Sequence, residues 1–110
     1  MSRTPEREEI MLDITTEVNG TEVVIFVGGR MDTASSPQLA EEIEKVIGSA
    51  DKIILDIEKV EYVCSAGLRV FLAADKKMLD KGGELNMRNI PKSVMGVFEM
   101  TGFSDALTII

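Results

Sequence analysis

Histidine and tryptophan are absent from the 110 residues, and cysteine occurs once, at Cys64. Histidine is the usual general base near neutral pH and the commonest metal ligand, so its absence removes ordinary Ser-His-Asp chemistry and the usual zinc sites. A single cysteine cannot close an internal disulfide and has no second thiol to resolve an oxidised form. Positive charge is scarce too: 12 Lys and Arg stand against 19 Asp and Glu, a formal net charge of -7. That balance argues against a nucleic-acid footprint, which needs clustered cations to neutralise phosphates, and anionic membrane surfaces would repel the chain. No apolar run approaches the roughly 20 residues of a membrane-spanning helix. The stretch Met1 to Glu9 is charged and lacks the apolar core of a secretion signal, so a cytoplasmic location is expected, with residues 1–10 as a flexible tail.

What is present is a globular composition, 45% hydrophobic and 28% charged, far from that of a disordered chain. Residues 11–110 are enough for one core and too few for two domains. Leu12, Ile14 and Thr16 alternate with Asp13, Thr15 and Glu17, and the β-branched run Thr21 to Val27 follows Val18-Asn19-Gly20. Asn-Gly between two such runs predicts a hairpin, because both residues tolerate positive φ. Gly28-Gly29-Arg30-Met31-Asp32 is expected to break the strand. A helix follows, with either Ser36 capping ahead of Pro37 or Ser35 opening a capping box with Gln38. Leu39, Ile43, Val46 and Ile47 share its apolar face.

Lys52 to Ile57 is almost continuously apolar, the pattern of a central strand in a partly parallel sheet. A second helix with Ser65 at its N-cap is expected to bury Leu68, Phe71, Leu72, Met78 and Leu79 and to stop at Gly82-Gly83. Lys76, Lys77 and Lys81 suit its negative end. Glu84 to Arg88 reads as a short strand, and Pro91 opens a third helix that carries Val94, Val97 and Phe98 inward as far as Gly102. Leu107 to Ile110 reads as a last strand. The order β-β-α-β-α-β-α-β, a hairpin followed by strand–helix crossovers, predicts an α/β domain with a mixed sheet of four or five strands covered by helices.

The chemistry on offer is narrow. Ser65-Ala66-Gly67 lies at a strand-to-helix turn, as a nucleophile elbow does, but Val63 occupies the first glycine position of G-x-S-x-G and no histidine can take the serine proton. Gly28-Gly29 and Gly82-Gly83 fit neither phosphate-loop pattern and are expected as turn or helix-end glycines. Cys64 is expected as a small buried hydrophobe, and the acidic residues form no calcium loop. No catalytic residue, metal or cofactor is therefore expected. Met95 and Met100 would join a partner surface if exposed. Ser65 is left as a hydroxyl at the positive end of a helix, either a cap and nothing more or a group that can carry an anion.

Two stretches in order, Gly29-Arg30-Met31-Asp32-Thr33 with Ser36-Pro37-Gln38-Leu39 and then Tyr62-Val63-Cys64-Ser65-Ala66-Gly67-Leu68-Arg69, resemble the G-x-[LM]-D segment and the phosphorylation loop of STAS domains, the family of bacterial anti-sigma factor antagonists. Thr101-Gly102-Phe103 is similar to the family's T-G-[LF] helix ending. The likeness runs from about Met11 to the C-terminus, although no last helix of the kind some members carry follows Leu107 to Ile110. It implies a single STAS-like domain without enzymatic activity that binds an anti-sigma factor acting also as a serine kinase, frees a sigma factor, and is switched by phosphorylation at Ser65. It also implies a partner surface of Asp32, Thr33, Cys64, Ser65, Ala66, Gly67 and Arg69; Asp32 alone would read equally as a helix-start residue. Cys64 stands where many regulated members carry Asp. That departure favours a second reading, a STAS scaffold subunit of a transporter-associated or signalling complex that is never phosphorylated.

Overall fold

The computed structural model describes residues 12–110; the tail expected over residues 1–10 lies outside them. Strands β1 (Asp13–Asn19) and β2 (Glu22–Met31) form an antiparallel hairpin, followed by α1 (Ser36–Ile47), β3 (Lys52–Val63), α2 (Ser65–Asp80), β4 (Glu84–Arg88), α3 (Lys92–Thr101), the single turn α4 (Phe103–Ala106) and β5 (Thr108–Ile109). The five strands lie in the order β1-β2-β3-β4-β5, with every pairing after the hairpin parallel. The mixed sheet is thus as expected, and the element order differs only by α4, a turn too short to show a helical period.

All crossovers step across the sheet in one direction, and right-handed connections then place the helices on one face. The core sits there. Val23, Ile25 and Val27 of β2, Ile53, Leu55 and Ile57 of β3, and Leu85 and Met87 of β4 meet Leu39 and Ile43 of α1, Phe71 and Met78 of α2, and Val94 and Phe98 of α3. The alternate strand positions form the other face. Its centre is a polar cluster in which Arg88 Nε and Asn89 Nδ2 each donate to Asp56 Oδ2 at 2.8 Å, while the Glu58 N–H donates to Oδ1 at 3.2 Å. Burial pushes the Asp56 carboxyl up, but Arg88, Glu58 N–H and Asn89 together hold it below its ordinary range.

Four local expectations are corrected. Asn19 pairs with Glu22, so the hairpin loop is Gly20-Thr21 rather than Asn19-Gly20, and the positive φ of +64° falls on glycine at the first central position. β2 does not break at Gly28: it continues to Met31 through two register shifts, between Phe26 and Gly28 and between Gly29 and Arg30. Both glycines serve those bulges, Gly29 with φ +105° and Gly28 where a β-carbon would stand 3.0 Å from Lys59 Cβ. β3 likewise runs past Ile57 to Val63, because extended β2 gives it a partner. Finally, α2 buries Ala74 in its stripe while Leu72 is half-buried and Leu79 is 61% exposed, since the helix turns Leu79 past the edge of the contact. The start of α1 settles on Ser35 as N-cap, with Ser36 and Pro37 opening the first turn.

Candidate functional site

Two strand ends position the site. Met31 pairs with Val63 in the parallel β2–β3 ladder, so Asp32-Thr33 and Cys64-Ser65 leave the sheet side by side at its carboxyl end, where open α/β sheets present functional loops. The Cys64 N–H donates to the Met31 carbonyl at 2.9 Å and ties the two exits together. Gly67 brings the first turn of α2 against them: a β-carbon there would stand 2.7 Å from Val63 Cγ2 and 3.2 Å from Met31 Cβ, too close for a packed interior.

The exit of β2 is closed on itself. Ser35 N–H donates to Asp32 Oδ1 at 2.9 Å, Asp32 N–H donates to Ser35 Oγ at 3.1 Å, and the Ser35 hydroxyl donates to the Arg30 carbonyl at 2.6 Å. Ser36 adds a bond from its hydroxyl to the Asp32 carbonyl at 2.6 Å. Both serines are buried. The Ser35 N–H above all holds the Asp32 carboxyl below its ordinary range. One oxygen of Asp32 is therefore committed to the loop, and exposed Thr33 stands beside it.

The exit of β3 is open. Val63 ends the strand, Cys64 is the N-cap with φ -102° and ψ -178°, and Ser65 is the first helical residue, one position beyond the N-cap expected of it. Strand and helix are separated by one residue, so the cap falls to Cys64. Ser65 is exposed, and among the described residues its hydroxyl makes no hydrogen bond. Cys64 is half-buried rather than fully buried. Burial pushes its thiol up, but the Gly67 and Ala66 N–H groups and the Thr33 hydroxyl outweigh burial and hold it below the ordinary thiol range; the Asp32 charge acts in the opposite sense. Arg69 is exposed one turn after Ser65, while Ala66 is half-buried and Gly67 buried. The structure thus gathers Asp32, Thr33 and Cys64 to Gly67 at one corner and sets Arg69 a helical turn away. What the corner offers is an exposed hydroxyl at the positive end of a 16-residue helix.

The STAS domain family matches residues 13–110. The chain belongs to that family. It is 34% identical over 87 residues to the anti-sigma-B factor antagonist of Listeria monocytogenes, covering 77% of this chain and 75% of that one. It is 24% identical over 98 residues to the anti-sigma-B factor antagonist of Bacillus subtilis, covering 89% and 90%. Among solved structures it is similar to the anti-sigma factor antagonist SpoIIAA in its unphosphorylated form, with a TM-score of 0.77 at 22% identity over 89% of this chain and 88% of that one. The phosphorylated form of SpoIIAA gives a TM-score of 0.71 at 22% identity, covering 89% and 91%.

In this STAS domain three participants escaped the sequence analysis. Ser35 was weighed as the start of a box with Gln38, whereas the box is Asp32 with Ser35; that spacing of three residues is the signal that would have found it. Gln38 instead accepts the Leu12 N–H at 2.6 Å through its side chain. Arg30 and Tyr62, paired across β2 and β3, stack with the guanidinium carbon 4.4 Å from the ring centroid and edge the site on the open side of the sheet. The stack arises from a register displaced by bulges, which no periodicity announces.

Proposed function

We propose that this STAS domain is an anti-sigma factor antagonist that binds an anti-sigma factor with serine kinase activity, frees a sigma factor, and is released when Ser65 is phosphorylated. The observation that carries this reading is the exposed Ser65 hydroxyl at the first position of α2, beside the loop of Asp32 and Thr33. Its relatives, anti-sigma-B factor antagonists, support the general role. The domain needs no catalytic residue, metal or cofactor of its own: the partner holds ATP, the γ-phosphoryl group moves to Ser65 Oγ, ADP leaves, and the hydroxyl proton passes to a base of the partner. A phosphoserine carries about -1.5 to -2 charge, and an exposed anion at a helix N-terminus stabilises by roughly 0.3–1 kcal/mol. The fold therefore tolerates the phosphate, and the effect falls on the interface. The partner surface includes Thr33, Cys64, Ser65, Ala66 and Arg69, with Asp32 and Gly67 shaping it, and the setting is the cytoplasm.

Cys64 favours a second reading, a constitutive scaffold subunit, because a thiol takes the capping position where many regulated members place a carboxylate. Mass spectrometry of tagged protein recovered from its native cells separates the two. A kinase partner and phospho-Ser65 support switching; a stable multisubunit complex with unmodified Ser65 supports the scaffold and removes the switch.

A further inference from the structure

The face of α2 below Ser65 carries features that the switch does not account for. Ser65 and Arg69 are spaced i, i+4 and are both exposed, and side chains at that spacing stand over one another on a helix. Behind Arg69 a groove of about 180 Å³ opens between α1 and α2, with Ala40, Val70 and Ala73 among its lining. Small side chains on both helices leave it unfilled. Its far end is closed by Lys77, which is paired with Glu44. Among the described residues, the ion pairs of α1 and α2 join Lys45 to Glu42, Lys76 to Asp80 and Lys77 to Glu44, and no carboxylate pairs with Arg69. The groove therefore ends in a neutralised pair on one side and an open cation on the other.

We propose that Arg69 and the groove behind it receive a partner segment bearing an apolar side chain next to a carboxylate, and that phosphate on Ser65 releases the partner by taking Arg69 for itself. The occupant follows from complementarity: the apolar chain fills the space over Ala40 and Ala73, and the carboxylate meets the guanidinium in the bidentate geometry that Arg favours. The assignment rests on Ser65 as phosphoacceptor. A phosphoryl group one turn above Arg69 offers more charge and more acceptor oxygens than a carboxylate, and the helix N-terminus holds it there. Phosphorylation then works by competition for one cation, with the fold unchanged.

Two measurements test the two halves. In protein carrying genetically encoded phosphoserine at position 65, a ³¹P NMR titration should show the second phosphate ionisation at lower pH in the parent than in Arg69→Gln, with Arg69→Lys restoring most of the difference. Identical titrations overturn the pairing, and this experiment needs no kinase. With the kinase that labels Ser65, unmodified Arg69→Gln should bind about tenfold more weakly than the parent, the worth of one charge-assisted pair. Phosphorylation should then weaken the Arg69→Gln variant less than it weakens the parent. Ala73→Gln, which fills the groove without removing the cation, should also weaken binding. Parent-like affinity in Arg69→Gln refutes the docking surface while leaving the switch standing. Concentration-dependent dimers lost in Arg69→Gln would place a second copy in the groove and overturn the assignment. If no kinase labels Ser65 in the parent, the switch fails and the docking assignment falls with it.

Discussion

The two helix starts at the carboxyl edge of the sheet carry serines with opposite fates. At the exit of β2, Ser35 and Ser36 are 0% and 1% exposed, and their hydroxyls are spent on the Arg30 and Asp32 carbonyls. At the exit of β3, Ser65 is exposed and its hydroxyl is uncommitted among the described residues. Residue type is the same, and so is the local element. The difference lies in loop length: four residues between β2 and α1 allow a reciprocal Asp32–Ser35 box, whereas a single residue between β3 and α2 leaves no room for one. A serine becomes available for chemistry where the chain turns too sharply to hydrogen-bond it to itself.

The substitution with the largest expected effect strikes the contact that holds the two exits together. Gly67→Val forces a β-carbon into Val63 and Met31 and should cost about 3 kcal/mol, as overpacking does, read as a lower urea midpoint at unchanged slope. The contrast between the serines comes next. Ser35→Ala leaves the Arg30 carbonyl and the Asp32 N–H without their side-chain partner and should destabilise by about 2 kcal/mol, whereas Ser65→Ala should stay within about 0.5 kcal/mol. Equal losses at the two positions would erase the distinction between a locked and an open serine.

Cys64→Asp would give the second helix the carboxylate cap it lacks. A gain of about 1 kcal/mol is expected at neutral pH, trimmed by the nearby Asp32 charge; no gain would mean that the Ala66 and Gly67 N–H groups are already served by sulfur. The smallest effects are titrations. Asp32 has its folded pKa depressed, so the stability it contributes is present above its unfolded pKa and disappears as pH falls through the folded one. Asp32→Asn should flatten that acid limb in urea unfolding followed over pH. The same variant should shift the pH profile of Cys64 alkylation downward, because the Asp32 charge raises the thiol while the helix N–H groups lower it. An upward shift would reverse the assigned sign of that charge.

Much of the fold was legible because its signals are local. Turn glycines, the apolar run Lys52 to Ile57, the helical spacing of Leu39 and Ile43, and the left-handed Gly102 closing α3 with φ +81° each depend on a few neighbouring residues. The errors fell where a neighbour in space decides. Gly28-Gly29 looks like a stop in isolation and is a double bulge beside β3. Leu79 fits the apolar period of α2 and lies in solvent, because its neighbour Met78 takes the buried position in the last turn. The corner showed the same division: that Asp32 and Ser65 lie where strands give way to helices was legible from the local pattern, but Arg30 stacked on Tyr62 was not.

Composition and order alone thus dictated an acidic α/β domain without histidine chemistry, since a residue that is missing cannot be supplied by folding and a hairpin followed by crossovers has few ways to close. Only packing could decide that Met31 and Val63 end in register, and with them that two loops thirty-odd positions apart form one surface. Packing also decided that Ser35 is consumed while Ser65 is not. The Asp32–Ser35 spacing admits a reciprocal box, but whether each loop is long enough to close one depends on where β2 and β3 end, and the two strands fix those ends by pairing with each other.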